Sequence, residues 1–388
     1  MNVYKAVPNI RFNGFEDKWK INRLLTITTV YSGLTYKPED IQTSGTLVLR
    51  SSNIQEGKII KKDCVYVNSS VVNSINVEKK DVILVVRNGS KKLIGKHAIV
   101  MQNMKKTVIG AFMSGLRPKN GDFLNALLNT ETFKKEVFRS LGATINQITN
   151  KDLKRMKFYL PFSYEQQKIG NFFAKLDKLL DLQQQKIDKL ELLKKTLLQK
   201  LFPRHDARIP EFRFKGFEDD WKKTRIGKIV QYSNSTYSVK DLKQKKEKKF
   251  YSVYDATGRQ YYSNSFDMDK KYIAIIKDGS NVGAVKLLPA RTSVLSTMGY
   301  LGAHNSDIAF DYYVFKKLNF KKYKVGSGIP HIYFSDYKKQ VELVPQLSEQ
   351  QKIGNLLSKV DQLIELENKK LQNFQQVKKC LLQNMFVE

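Results

Sequence analysis

The chain has 388 residues, of which 41% are hydrophobic, so it is long enough for two or three folded domains. It carries 68 Lys and Arg residues against 37 Asp and Glu, a formal charge of +31. This composition excludes a disordered basic tail and predicts a basic globular protein that binds a polyanion, usually nucleic acid. A Lys-rich proteome is the alternative explanation for part of the excess.

The sequence predicts neither export nor membrane insertion. Met1–Ala6 contains no apolar segment, and no run of 18 apolar residues follows, so we expect a cytoplasmic protein. Cys64 and Cys380 lie in different halves of the chain, and the four histidines are far apart in the sequence. We therefore expect no disulfide framework and no metal site.

Two blocks of sequence occur twice. Pro8–Trp19 (PNIRFNGFEDKW) returns as Pro210–Trp221 (PEFRFKGFEDDW). Glu165–Asn171 (EQQKIGN) returns unchanged at Glu349–Asn355, after a shorter interval than the one that separates the first two blocks. We call the difference in numbering between Glu165 and Glu349 the repeat offset. Each half therefore opens and closes alike around a middle of different length, which predicts two related domains.

The middle of each half has the features of a mixed α and β domain. In the first, about 19–160, the runs Thr46–Arg50 and Asp81–Arg87 predict strands, and helices are expected over Phe123–Leu141. In the second, about 221–344, Tyr272–Lys277 matches the second of those strands. Both matching strands are followed by an Asn/Asp-Gly-Ser turn.

The segments after the closing blocks predict long helices, because they contain almost no Gly or Pro and repeat apolar residues at heptad spacing. The predicted pairing residues are Ile169, Phe173, Leu176, Leu180, Gln183, Ile187 and Leu190 in the first helix, and Ile353, Leu357, Val360, Ile364, Glu367, Leu371 and Phe374 in the second. Polar residues interrupt the two seams at equivalent places, Gln183 with Glu367 and Lys194 with Lys378, which favours pairing of the helices with each other as an antiparallel coiled coil. The alternative is two amphipathic helices, each packed on its own domain.

A search for catalytic residues finds no phosphate-binding loop and no adenine-methyltransferase motif. We therefore expect a chain that binds DNA without a catalytic site. Base reading calls for Arg, Asn or Gln, and phosphate contact for Lys. On this basis the candidate DNA contacts are Arg50, Ser52, Asn53, Arg87, Asn88, Ser90 and Arg117 in the first domain, and Lys245, Lys246, Lys248, Lys249, Tyr254, Arg259, Asn281 and Arg291 in the second.

The chain resembles the DNA-specificity subunit of type I restriction-modification enzymes. The resemblance runs from Pro8 to Phe386 and rests on the Phe-x-Gly-Phe-Glu-Asp-x-Trp opening blocks, the Glu-Gln-Gln-Lys-Ile-Gly closing blocks and the helices ending in Lys-Lys-x-x-Leu-Leu-Gln. Further candidate DNA contacts are Thr35, Tyr36, Lys277 and Ser280 in family-like stretches, the adjacent Lys37 and Lys91, and Thr236 and Tyr237, where the second half departs from the family pattern by lacking the Gly. Other family-like stretches are Ser52–Gly57 and Gly328–Ile332.

The resemblance implies an α+β fold in which two target-recognition domains each read one half of a bipartite, asymmetric site in double-stranded DNA. Two long helices, forming an antiparallel coiled coil, would set the spacer and dock two modification subunits. The implied segments are 1–164 (first opening block and domain), 165–203 (first helix), 204–348 (second block and domain) and 349–388 (second helix).

The resemblance places the cofactors in partner chains. S-adenosylmethionine, ATP and Mg²⁺ would be bound by modification and restriction subunits, and none by this chain. The alternative function is a non-catalytic coiled-coil scaffold that binds nucleic acid without sequence specificity.

Overall fold

The computed structural model describes residues 6–141, 146–204, 207–246 and 248–387. The chain divides into two compact units, unit 1 from residues 1–184 with 369–388 and unit 2 from residues 185–368. Each unit contains part of both long helices. The four segments expected from the sequence, in contrast, are consecutive pieces of the chain, and each long helix is a segment of its own. That four-segment division stays a prediction. Residues 1–5, which contributed to the expectation about export, lie outside the described part.

Unit 1 is a mixed α and β domain. Its strands are β1 (Lys20–Arg23), β2 (Thr28–Ser32), β3 (Ile41–Gln42), β4 (Thr46–Leu49), β5 (Ile54–Gln55), β6 (Lys58–Ile59), β7 (Val65–Val67), β8 (Val82–Val85), β9 (His97–Ile99), β10 (Thr107–Ile109), β11 (Met113–Pro118) and β12 (Lys157–Leu160). Its helices are α1 (Gly121–Leu128), α2 (Glu131–Ser140), α3 (Asn150–Arg155), the first part of α4 (Ser163–Lys200) and the last part of α7 (Leu347–Asn384). The strands and helices expected from the sequence are present.

Unit 2 repeats this plan with fewer elements among its described residues. Its strands are β13 (Lys222–Arg225), β14 (Val230–Asn234), β15 (Tyr251–Tyr254), β16 (Gln260–Ser263), β17 (Tyr272–Ile276), β18 (Val285–Leu288), β19 (Ser293–Val294), β20 (Met298–Ala303) and β21 (Val341–Val344). Its helices are α5 (Ile308–Lys317), α6 (Phe334–Tyr337), the last part of α4 and the first part of α7.

The sheets of the two units follow the same order. An antiparallel sheet runs β2-β11-β8-β9 in unit 1 and β14-β20-β17-β18 in unit 2. The central strands β8 and β17 consist of buried aliphatic or aromatic residues, because both faces of each strand are covered. A second sheet contains the parallel pair β4 and β10 in unit 1 and the parallel pair β15 and β19 in unit 2. The internal repeat therefore extends to strand topology.

The repeated sequence blocks contact each other inside each unit. Arg11 donates two hydrogen bonds of 2.8 Å to the buried carboxylate of Glu165, and the Trp19 indole donates a third of 3.2 Å. In unit 2, Arg213 binds Glu349 in the same forked manner at 2.9 and 3.0 Å. The hydrogen bonds to these glutamates raise the pKa of both arginines. In each unit, therefore, an ion pair with a buried glutamate joins the opening block to the closing block.

The two long helices pair antiparallel within each unit. In unit 1, Lys378 of α7 forms an ion pair with Asp177 of α4. In unit 2, Lys194 of α4 pairs with Asp361 of α7 at 2.5 Å. Lys378 follows Lys194, and Asp361 follows Asp177, by the repeat offset, so the two ion pairs are copies of one another. The lysines that interrupt the predicted seam are thus matched by aspartates on the opposite helix.

The predicted pairing residues are buried or half-buried with one exception. Phe374 is 44% exposed, so its ring is not enclosed between the helices. The first turns of each helix also pack on a domain, since Ile169 and Phe173 belong to the core of unit 1 and Ile353 and Leu357 to that of unit 2. Both arrangements proposed from the sequence therefore occur. The first turns of each long helix pack on a domain, and its later turns pair with the other long helix.

Candidate nucleic-acid interface

The candidate DNA contacts of both units lie mostly on loops at strand ends. The exposed ones are Thr35, Lys37, Ser52, Arg87, Ser90 and Lys91 in unit 1, and Thr236, Lys245, Lys246, Lys248, Lys249, Arg259, Ser280, Asn281 and Arg291 in unit 2. The half-buried ones are Tyr36, Arg50, Asn88, Arg117, Tyr237, Tyr254 and Lys277. Exposed Lys and Arg side chains at loops suit contact with phosphates and base edges.

Two predicted loops of unit 1 meet. The turn after β8 carries Arg87, whose guanidinium lies 5.0 Å from the centre of the Phe112 ring, and that ring is 53% exposed. In the same turn, the Asn88 side-chain amide donates to the hydroxyl of Ser51, 3.2 Å away, in the short turn after β4. The structure thus brings together the Arg50–Asn53 and Arg87–Ser90 segments that the sequence offered separately.

Asn53 has a structural role in the described conformation. Its side chain is fully buried, accepts a hydrogen bond from the Arg50 backbone and donates to the carbonyls of Ile60 and Lys62. Because every polar group of this amide has a protein partner, Asn53 shapes the loop rather than offering hydrogen bonds to a base.

Arg117 is a second candidate whose polar groups have protein partners. Its guanidinium donates to the buried carboxylate of Asp81 at 2.9 and 3.0 Å and forms an ion pair with Glu78 at 2.8 Å. The hydrogen bond to Asp81 raises the pKa of Arg117. Tyr31 completes the group by donating to Asp81. The arrangement fixes β11 to β2 and to the segment before β8.

The remaining stretch of unit 1, Thr35 to Lys37, lies after β2. Tyr36 packs against a small buried cluster that contains Leu34 and Val48, while Thr35 and Lys37 face solvent. The Lys37 backbone donates to the Asp40 carboxylate at 2.7 Å, which holds the start of a short 3-10 turn. This stretch positions two exposed polar side chains on an ordered loop.

In unit 2 the basic run lies in the exposed segment before β15. Lys245, Lys246, Lys248 and Lys249 are all exposed, and Glu247 lies outside the described residues. Next to the run, the Lys243 ammonium lies 5.0 Å from the centre of the Phe250 ring. Several adjacent ammonium groups that face solvent suit sequence-independent contact with phosphates.

Tyr254 and Arg259 flank the hairpin turn between β15 and β16. The Asp255 carboxylate accepts three hydrogen bonds inside this turn, and these lower its pKa against the opposing effect of burial. The Arg259 guanidinium lies 5.0 Å from the centre of the Tyr261 ring. Arg259 therefore lies over an aromatic face beside a hydrogen-bonded turn, where it is exposed to solvent.

The other candidates of unit 2 surround the ends of β14, β17 and β18. Lys277 donates to the Asn234 side chain at 3.1 Å, and Ser280 and Asn281 follow in the exposed turn. Arg291 has a left-handed backbone with φ of 56° and donates its N–H to the Met268 carbonyl. The hydroxyl of Tyr237 is hydrogen-bonded to that of Ser265 at 2.8 Å.

Sequence reasoning missed an interacting pair in unit 2. The His331 ring nitrogen Nδ1 lies 2.7 Å from the Asp278 carboxylate, and the ring stacks on the 55% exposed Tyr333. His331 was visible in the family-like stretch that ends at Ile332, but its partner lies far earlier in the chain. A local pattern cannot reveal a pair so far apart in sequence.

The described parts of the chain contain neither a metal-binding cluster nor a membrane-spanning helix. Among these residues, no cluster of His, Cys, Asp and Glu has the geometry of a metal site. None of the helices described here is both long and apolar enough to span a membrane.

Comparison with known proteins identifies relatives over both halves. The family model of the type I restriction modification DNA specificity domain matches residues 16–192 and 218–376. The type I restriction enzyme StySPI specificity subunit of Salmonella potsdam is 29% identical over 171 residues, which cover 42% of this chain and 36% of that protein. The putative MjaX specificity subunit of Methanocaldococcus jannaschii is 25% identical over 406 residues, 94% of this chain and 92% of that protein.

A solved structure shares the fold. The S subunit of a type I restriction-modification system from M. genitalium superposes with a TM-score of 0.73 at 17% identity, covering 98% of this chain and 99% of that one. The family model matches well over half of the chain, in two regions that correspond to the two repeated halves. The chain therefore belongs to the type I restriction-modification DNA specificity family.

Proposed function

We propose that this chain is the DNA-sequence-specificity subunit of a type I restriction-modification enzyme, acting in the cytoplasm. Each unit reads one half of a bipartite, asymmetric site in double-stranded DNA, and the paired helices set the spacer between the halves. The observation that carries the proposal is the contrast between repeated and divergent parts. Sheet order and buried ion pairs are the same in both units, while the exposed polar side chains at the strand ends differ.

The chain requires partners for any reaction. We propose that two modification subunits bind it and supply adenine methylation with S-adenosylmethionine, and that restriction subunits bring ATP, Mg²⁺ and cleavage. On this proposal the chain itself is non-catalytic and binds no cofactor.

Exposed apolar residues on the long helices support two equivalent docking faces. Unit 1 exposes Leu179, Leu182, Phe374 and Val377, and unit 2 exposes Leu192, Leu193, Leu363 and Leu366. The repeat offset relates Leu179 to Leu363, Leu182 to Leu366, and Leu193 to Val377. Repeated exposed apolar faces are typical of binding sites for two copies of one partner.

A domain exchange tests the proposal. Residues 222–344 are replaced by the corresponding segment of a relative, and the methylated sites in a host carrying the complete system are mapped by sequencing. We expect one half of the recognised site to change and the other half to stay. The matched control exchanges residues 20–160, which should change the opposite half. Changes in both halves after either exchange, or methylation independent of sequence, would contradict the proposal and favour a non-specific scaffold.

A further inference from the structure

The backbone around the Asp278–His331 pair has a counterpart in unit 1. In unit 1 four backbone hydrogen bonds hold the turn after β8. The N–H groups of Val86 and Arg87 both donate to the Phe112 carbonyl. The Asn88 N–H donates to the Asn146 carbonyl, and the Ile148 N–H donates to the Val86 carbonyl. In unit 2 four backbone hydrogen bonds hold the turn after β17. The N–H groups of Lys277 and Asp278 both donate to the Thr297 carbonyl. The Gly279 N–H donates to the Pro330 carbonyl, and the Ile332 N–H donates to the Lys277 carbonyl. The four bonds match one by one.

This match assigns equivalent residues without reference to sequence similarity. The bridge that joins Arg87 to Gln147 in unit 1 corresponds to the bridge that joins Asp278 to His331 in unit 2. His331 also follows Gln147 by the repeat offset that separates the closing blocks. We call the two groups strand-end platforms: platform 1 is Arg87 with Gln147, and platform 2 is Asp278 with His331.

The two platforms share a backbone and differ in chemistry. Platform 1 presents an exposed guanidinium over the Phe112 ring, a donor-only group. In platform 2 the Asp278 carboxylate lies at hydrogen-bond distance from His331 Nδ1 and accepts a hydrogen bond from an Nδ1–H, and a neutral ring in this tautomer presents Nε2 to solvent as a hydrogen-bond acceptor. The side chains of His331 and Asp278 are 40% and 29% exposed, so solvent reaches both.

We propose that the strand-end platforms are equivalent base-reading positions, and that their side chains set different preferences in the two half-sites. This inference rests on the proposed function. Arg87 reads guanine, whose O6 and N7 accept hydrogen bonds in the major groove. His331, oriented by Asp278, reads a base that offers an amino hydrogen, which is adenine or cytosine. Exposed lysines near platform 1, such as Lys91, contact phosphates and carry no base preference.

The test selects bound duplexes from a library with randomised half-sites, using the full-length chain in complex with its modification subunits. We expect Arg87→Ala to reduce the preference for guanine at one position of one half-site by roughly ten- to a hundredfold. We expect His331→Ala to relax one adenine or cytosine position in the other half-site by a similar factor. The matched controls, Arg139→Ala on the surface of α2 and the exposed His304→Ala, should leave both half-sites unchanged.

The outcomes separate this inference from the function on which it rests. Wild-type complex that selects no sequence would overturn the proposed function itself. Sequence-specific wild type with unchanged preferences in both variants would overturn only the platform assignment, as would a loss of affinity that is equal for all sequences. Thermal unfolding verifies that the variants fold. If His331→Ala does not fold, His331→Gln replaces it, because platform 1 has a glutamine, Gln147, at the equivalent position.

Discussion

Asp311 places a carboxyl group in the core of unit 2, where unit 1 has Leu124. The equivalence follows from the helix starts, since the Asn120 side chain accepts from Phe123 N–H at the start of α1 and the Asp307 side chain accepts from Phe310 N–H at the start of α5. Burial raises the pKa of Asp311 to about 8.

Ser306 acts against the effect of burial on Asp311. The Ser306 hydroxyl lies 2.7 Å from the Ile229 carbonyl and 2.5 Å from Asp311 Oδ2. The hydrogen bond that Ser306 donates to Asp311 lowers the pKa of the carboxyl group, but burial is the larger effect and keeps that pKa raised.

A pH-dependent stability of unit 2 follows. Between about pH 4 and pH 8 the folded state keeps the Asp311 proton and the unfolded state has released it, so this contribution to stability is complete below about pH 4 and is lost as pH rises towards 8. In this window Asp311 should lower the free energy of unfolding of wild-type unit 2 by up to about 1.4 kcal/mol for each pH unit that the pH rises. We expect Asp311→Asn to abolish this decrease.

Urea unfolding at several pH values measures this effect through Trp221 fluorescence in a Trp19→Phe background. The exposed Asp269→Asn serves as control and should keep the wild-type slope. An identical pH slope in Asp311→Asn and wild type would contradict the prediction.

At the scale of elements, the glycine of each closing block explains how the long helices meet the domains. A Cβ at Gly170 would lie 2.6 Å from the backbone nitrogen of Phe123, at the start of α1. A Cβ at Gly354 would lie 2.8 Å from that of Phe310, at the start of α5. Helix α4 and helix α7 therefore approach the start of a shorter helix at the same point in both units, and only glycine fits there.

We expect Gly170→Ala to destabilise unit 1, although alanine is the better helix former. Overpacking against fixed backbone costs roughly 1–3 kcal/mol, which exceeds the gain of about 1 kcal/mol in helix propensity. The neighbouring Asn171 is exposed, so Asn171→Ala is the matched control and should be neutral or slightly stabilising. Urea unfolding followed by Trp19 fluorescence in a Trp221→Phe background measures the free energy of unfolding of unit 1 in both variants. An equal free energy of unfolding in Gly170→Ala and the parent protein would show that the contact is not tight.

At the scale of the whole molecule, each core is completed by a residue distant in the chain. The Phe386 ring packs against Trp19, Phe123 and Phe173 in unit 1. In unit 2, Phe202 packs against Trp221 and Phe310. Phe386 follows Phe202 by the repeat offset, so the end of each long helix has the same role in a different unit.

We expect Phe386→Ala to lower the free energy of unfolding of unit 1 by about 3–5 kcal/mol, because the large buried ring leaves a cavity. Unit 2 should keep its stability. Phe374→Ala on the same helix is the matched control, since that ring is 44% exposed. Separate unfolding curves from the single tryptophan of each unit report both effects, and an equal loss in both units would contradict the assignment of Phe386 to unit 1.

The sequence by itself determined the repeat, the long helices, the central strands and the family. These features are local patterns or copies of one another: heptads predict helices, aliphatic runs predict buried strands, and the two blocks are identical or nearly so. Even the polar residues at Lys194 and Lys378 were recognisable as equivalent. The antiparallel partners Asp361 and Asp177 were not, because nothing in a single helix specifies which residue lies opposite.

Only the tertiary structure decided the role of individual polar residues. Asn53, Arg117 and Arg87 all suited base reading by residue type, yet the first two are occupied by protein partners and the third is exposed on an aromatic ring. The pairing of His331 with Asp278, like the burial of Phe386 beside Trp19, joins residues far apart in the chain. Hydrogen bonding and burial depend on which distant segments meet, and that information exists only once the chain has folded.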